Sequence, residues 1–110
     1  MLDSWQPNGN AWKAVESVVN SDMFRASPAL RRLLEYLSEK TAAGEAESLK
    51  EFTLGVEALQ RSESYDPQVD PSGRVQIRRL RKKLEKYYEA EGAAEPFRVR
   101  LPKRQFALEV

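Results

Sequence analysis

The chain has 110 residues, 41% hydrophobic and 32% charged, with a net charge of +1 and neither Cys nor His. That length supports one domain with one modest core. The missing residue types exclude disulfides, thiolate catalysis, nearly all zinc sites and the usual neutral-pH general base, so no cofactor is expected. The carboxylates are scattered rather than paired in an apolar setting, which argues against an enzyme.

In chain order, residues 1–9 carry Pro7, Asn8 and Gly9 and read as an irregular lead-in to a single domain over 10–110. Their first residues lack the basic-then-apolar order of a signal peptide, and a cytoplasmic location is expected. No stretch approaches the roughly 18 apolar residues of a membrane span. A first helix is predicted from the Asn10 N-cap to about Val19, with Trp12, Val15, Val18 and Val19 on one side and a break at Asn20-Ser21-Asp22. Trp5 and Trp12 read as core or lid residues, with a contact to another chain the alternative for Trp5. A second helix is punctuated by Ser27 as cap, Pro28 at the first position and Gly44 at the end. Its apolar face is Leu30, Leu33, Leu34 and Leu37.

Ser48-Leu49-Lys50-Glu51 reads as a capping box opening a short third helix. Phe52, Val56 and Leu59 are its expected buried stripe, and Gly55 beside them implies a close helix–helix approach. Ser62 to Asp70 is a loop, with Asp70 capping the next helix. That fourth and longest helix is predicted from Pro71 to about Glu91, ending at Gly92. Beyond it Phe97, Val99 and Leu101 alternate with Arg98 and Arg100, and Phe106, Leu108 and Val110 alternate with Ala107 and Glu109. This period of two on both sides of a polar tip predicts a β-hairpin, its inner strand stopped by Pro102. The expected fold is mainly α with a C-terminal hairpin, the outline of a winged helix-turn-helix.

The long helix carries the chemistry. At about 100° per residue, Ile77, Leu80, Leu84, Tyr87 and Tyr88 gather on one arc that faces the core. Val75, Arg79, Lys82, Lys83 and Lys86 gather opposite, Arg74, Arg78 and Arg81 lie on one flank, and Gln76 lies on the other side near Lys83. Entry into the major groove of duplex DNA needs this polarity: one face docked on a scaffold, the other offering donors. Arg pairs bidentately with guanine, Gln with adenine, and Lys serves as a point charge for phosphate. Val75 gains nothing in water but suits a thymine methyl. Lys103 and Arg104 at the hairpin tip add cations. Ser48 and Lys50, beside the free amides of the third helix, are a weaker phosphate candidate. The charge is also divided along the chain: residues 1–70 have 7 basic and 12 acidic side chains, residues 71–110 have 11 basic and 5 acidic. Such asymmetry points to a polyanion-binding end. Surface ion pairing is the alternative for the flank arginines, for instance Arg81 with Glu85, and solubility alone for the tip. Core packing is expected for Tyr87 and Tyr88.

The segment Val75-Gln76-Ile77-Arg78-Arg79-Leu80-Arg81-Lys82-Lys83-Leu84 has the pattern V-x-I-x-R-L-R-x-x-L. It resembles the recognition helix of OmpR/PhoB-type response-regulator effector domains, and nearly the whole chain is similar to N-terminal winged-helix domains of larger bacterial regulatory proteins. The resemblance implies Arg79 as the principal base contact, with Ser72, Arg78 and Arg81 near phosphates. It puts residues 103–104 at the minor groove and makes the loop 60–70 a surface for RNA polymerase. The chain departs from the effector pattern in having a helix at 10–20 instead of a small β-sheet, Lys103-Arg104-Gln105 where the wing usually has Gly, and no receiver domain. Sequence-dependent binding of double-stranded DNA in transcriptional regulation is therefore expected, as a dimer or in tandem on the nucleoid, without membrane contact. A protein-interaction module and a small architectural or recombination accessory protein are the alternatives.

Overall fold

The computed structural model describes residues 5–110; residues 1–4 of the expected lead-in lie outside the described residues. Among the described residues, five α-helices follow one another: α1 (Asn10–Val19), α2 (Asp22–Arg25), α3 (Pro28–Ala42), α4 (Glu51–Glu57) and α5 (Ser72–Glu89), with a 3₁₀ turn at Ala46–Ser48 between α3 and α4. The core lies where α1, α2 and α5 meet α3, with α4 packed against α5. Phe24, Leu33, Leu34, Leu37, Leu54 and Leu80 are fully buried there, and Val99, Leu101 and Leu108 close it from the C-terminal segment. Burying side chains of this size stabilises the fold by about 1.5–3 kcal/mol each before the entropy of ordering them.

The first helix begins as expected, except that Gly9 holds the cap position and Asn10 is already helical. Ahead of it, the ring of Trp5 meets Trp12 edge-on at 5.2 Å, and the Trp12 indole donates to the Trp5 carbonyl at 2.8 Å. Trp5 is therefore a core residue. The expected break at 20–22 instead opens α2. The Ser21 hydroxyl accepts from the Phe24 amide, and the carboxylate of Glu91 accepts from the amides of Asp22 (2.9 Å) and Met23 (3.2 Å). A four-residue helix shows no period in sequence, and one of its two caps lies 69 residues away. In α3, Pro28 and the left-handed Gly44 (φ 75°) delimit the helix, while Ser27 caps nothing with its side chain.

The capping box at Ser48–Glu51 does not form. Ser48 ends the 3₁₀ turn and donates to the Glu45 carbonyl at 2.9 Å, Lys50 takes the cap position, and Glu51 turns to Arg74. The buried stripe of α4 is Leu54, Gly55 and Ala58 rather than Phe52, Val56 and Leu59; Phe52 is 42% exposed and stacks on Tyr65. Gly55 does mark a close approach, but the partner is the Tyr65 ring. A Cβ at Gly55 would lie 2.7 Å from Tyr65 Cδ2, closer than real side chains allow. Pro71 rather than Asp70 holds the cap position of α5, which begins at Ser72 without a side-chain cap; Asp70, one place further out, accepts from the Ser72 amide at 3.0 Å, and that bond holds its carboxyl below the usual carboxylate range.

The C-terminal hairpin is not present, which overturns the winged-helix expectation at its wing. Among the described residues there is no β-strand, and residues 97–110 contain one isolated antiparallel bridge, Arg100 with Glu109. The reason lies in where the backbone groups find partners. The Val99 amide donates to the Tyr88 hydroxyl, the Leu101 and Pro102 carbonyls accept from Arg81, the Leu108 amide donates to Thr41, and the Ala107 carbonyl accepts from Gln105. Pro102 has no amide to offer. Side chains from α3 and α5 thus satisfy groups that a ladder would have paired, and one bridge with bonds of 2.7 and 2.9 Å is left.

Candidate nucleic-acid interface

The α5 helix turns Ile77, Leu80, Leu84, Tyr87 and Tyr88 inward, as its period dictates. Tyr87 and Tyr88 are core residues: Tyr87 meets Phe24 edge-on at 6.4 Å, and burial pushes its phenol up to about 12. Gly73, at the start of α5, lets Glu51 and Tyr65 approach the backbone. The outward surface then carries the cations in three groups.

The first group lines a groove of about 750 Å³ between α5 and the C-terminal segment. Arg74, Arg78, Arg81 and Lys82 form the helical wall, and Lys103, Arg104, Gln105 and Phe106 form the other. Six cations meet two carboxylates there, Glu51 and Glu85. Arg104 holds φ at 66°, a left-handed conformation that costs a side-chain-bearing residue about 1–2 kcal/mol and glycine nothing. A shallower trough continues toward the end of α5, where Arg98 lies over the Tyr88 ring at 5.2 Å.

The second group is the outer ridge. Arg79 and Lys86 are exposed and Val75 is half-buried. Gln76 accepts weakly from Arg79 Nη1 at 3.5 Å, which leaves the guanidinium free to move. The third group is Lys83, half-buried on the far flank with its ammonium 5.7 Å from the centre of the Phe24 ring.

Not every expected site residue is available in the form the sequence suggested. Arg81 does not pair with Glu85. It donates from Nε to the Leu101 carbonyl (2.8 Å) and from Nη2 to Pro102 (3.2 Å), clamping the groove's two walls together. Arg74 is held by the Glu51 carboxylate at 3.1 Å and by the Pro67 carbonyl at 2.9 Å. Ser72 accepts from Arg61 Nε at 3.2 Å. The Ser48 hydroxyl is spent on Glu45, and neither Ser48 nor Lys50 lines the groove. The pattern reading missed Glu51 and Glu85 as groove residues, because it assigned the first to a cap and the second to an ion pair. Phe106 was hidden in the expected strand, and Gln105 was read only as part of the polar tip. Among the described residues, no helix is long and apolar enough to cross a membrane. No family model matches the chain, and neither a curated protein nor a solved structure matches it.

Proposed function

We propose that the protein binds double-stranded DNA, with the outer ridge of α5 in the major groove and the cation-lined groove beside it holding a sugar–phosphate strand. The observation that carries this reading is the facing of Arg78 and Lys82 by Lys103 and Arg104 across one open groove. Charges brought together from both ends of the 71–110 segment repel one another in the free protein, and a phosphate between them relieves that repulsion. Arg79, exposed and loosely held, is the side chain placed to read a base, and Val75 the one to meet a thymine methyl. The likeness of residues 75–84 to response-regulator recognition helices belongs to this reading; the hairpin that the likeness implied does not. A single module of this size makes few contacts, so tandem or dimeric binding is part of the proposal. So is a role in transcriptional regulation on the nucleoid, with the 60–70 loop open to RNA polymerase.

The test is a salt titration of duplex binding. With about 5–7 phosphates engaged, log K falls against log salt with a slope of about −5 to −6. Lys82→Ala reduces the slope by about 0.9 and weakens all sequences alike. Arg79→Ala costs about 1–3 kcal/mol on a selected site and relaxes specificity at one base. Binding that ignores salt, or an Arg79→Ala variant as selective as the parent, refutes the assignment.

A further inference from the structure

The phenol oxygen of Tyr65 is buried without a hydrogen-bond partner, although the residue is only 8% exposed. A buried hydroxyl left unpaired is costly, and native structures keep few of them. Its surroundings suggest a use. The Tyr65 oxygen and the Glu51 side chain meet over the same backbone position: a Cβ at Gly73 would lie 3.0 Å from the Tyr65 oxygen, 3.0 Å from Glu51 Cγ and 3.3 Å from Glu51 Oε2. Glu51 is meanwhile occupied by Arg74, whose Nη1 lies 3.2 and 3.1 Å from the two carboxylate oxygens. Arg74 is half exposed at the rim of the cationic groove, while Glu51 is largely covered.

We propose that Tyr65 is the stand-in partner for Glu51 when Arg74 leaves it for a DNA phosphate. A carboxylate stripped of its arginine beside an incoming phosphate is doubly unfavourable, through lost pairing and through like-charge repulsion. The waiting hydroxyl removes the first penalty. It donates to Glu51, Arg74 crosses from carboxylate to phosphate, and the buried hydroxyl gains a partner while the exposed Pro67 carbonyl exchanges Arg74 for water. Gly73 keeps the space open, since a methyl there would crowd both the Tyr65 oxygen and the Glu51 side chain. Tyr65 thus acts as a positioning residue for the interface without touching the nucleic acid, and this role rests on the DNA-binding reading.

The experiment is a double-mutant cycle of Tyr65→Phe and Arg74→Ala with two readouts. In duplex binding, Arg74→Ala reduces the salt slope by about 0.9. Tyr65→Phe leaves the slope unchanged and weakens binding roughly three- to tenfold in the parent, with no effect in the Arg74→Ala background, where the hydroxyl already serves Glu51 before DNA arrives. In thermal melts without DNA the order reverses. Tyr65→Phe leaves the parent's Tm level or raises it, and lowers the Tm of Arg74→Ala by on the order of 4 °C. A purely structural tyrosine gives equal effects in both backgrounds, and that result overturns the proposal. A parent that does not bind duplex overturns the functional reading and the transfer to phosphate. The melts still decide the Tyr65–Glu51 pairing, and an additive cycle there ends it too.

Discussion

Arg81 offers the sharpest test of the groove, because its two hydrogen bonds to Leu101 and Pro102 give it a job that a phosphate contact would contradict. In Arg81→Met the methionine can keep the packing of the side-chain stem and lose both bonds. A hydrogen bond from a charged donor contributes about 1.5–3 kcal/mol when well protected. Arg81 is only part-buried, and its two carbonyls regain some solvation, so about 2 kcal/mol for the pair is expected. In a domain of this size that lowers Tm by about 8 °C. Chemical denaturation gives the free-energy change directly. Duplex titrations over a range of salt give the second half: affinity falls because the Lys103–Arg104 wall is no longer held against α5, while the slope stays that of the parent. If Arg81 were instead a phosphate contact, the slope would shrink by about 0.9 and stability would be untouched. Parent-like stability with a smaller slope would refute the clamp.

Three other outcomes follow from the packing. Gly55→Ala drives a methyl into the Tyr65 ring, which is hemmed in by Phe52, and should cost about 1–3 kcal/mol by urea unfolding. Tyr88→Phe leaves the buried Val99 amide without the acceptor it holds at 2.7 Å, for a loss of about 1–3 kcal/mol and faster amide exchange at Val99. Tyr87 ionises near 10 when unfolded and near 12 in the fold, chiefly because burial disfavours the phenolate. Between those values the unfolded chain binds fewer protons, so stability is complete below about pH 10 and declines as pH rises toward 12. Tyr87→Phe should flatten that part of a stability–pH curve, leaving only the slope due to other groups.

The helices were legible wherever a local rule sufficed. Pro28 with Gly44 bracketed α3, and the inward arc of Ile77, Leu80 and Leu84 defined α5. What could not be read depended on partners distant in sequence. The α2 turn relies on Glu91, the rotation of α4 on Tyr65 lying against Gly55, and the failed capping box on Glu51 choosing Arg74 over its own helix end. The C-terminal alternation marked Val99, Leu101 and Leu108 as inward residues, as they are, but Phe97 and Val110 at the ends of the same pattern are exposed. It overstated their pairing, since alternation reports which face is buried and says nothing of which atoms take the backbone hydrogen bonds. For the interface, the cationic face of α5 was visible in full, but the division into a groove wall, an outer ridge and a lysine over Phe24 was set by neighbours the helical wheel does not contain.

On the DNA-binding proposal, that division would give α5 two tasks that are separate in a protein with a true hairpin. A paired sheet holds its own shape, so its tip can be moved or lengthened while the helix is left alone. Here the segment carrying Lys103 and Arg104 takes its position from Arg81 and Tyr88 on α5, and from Thr41 on α3. The helix that would read the bases therefore also sets the width of the groove beside it. A side chain on the inner flank of α5 that never meets a nucleotide still fixes the distance between Arg78 or Lys82 and the opposite cations. On the DNA-binding proposal, the cations of the groove would set how many phosphates are met, and hydrogen bonding on the inner flank would set whether they are met together. Changes to the first should appear in the salt slope, and changes to the second in affinity at constant slope.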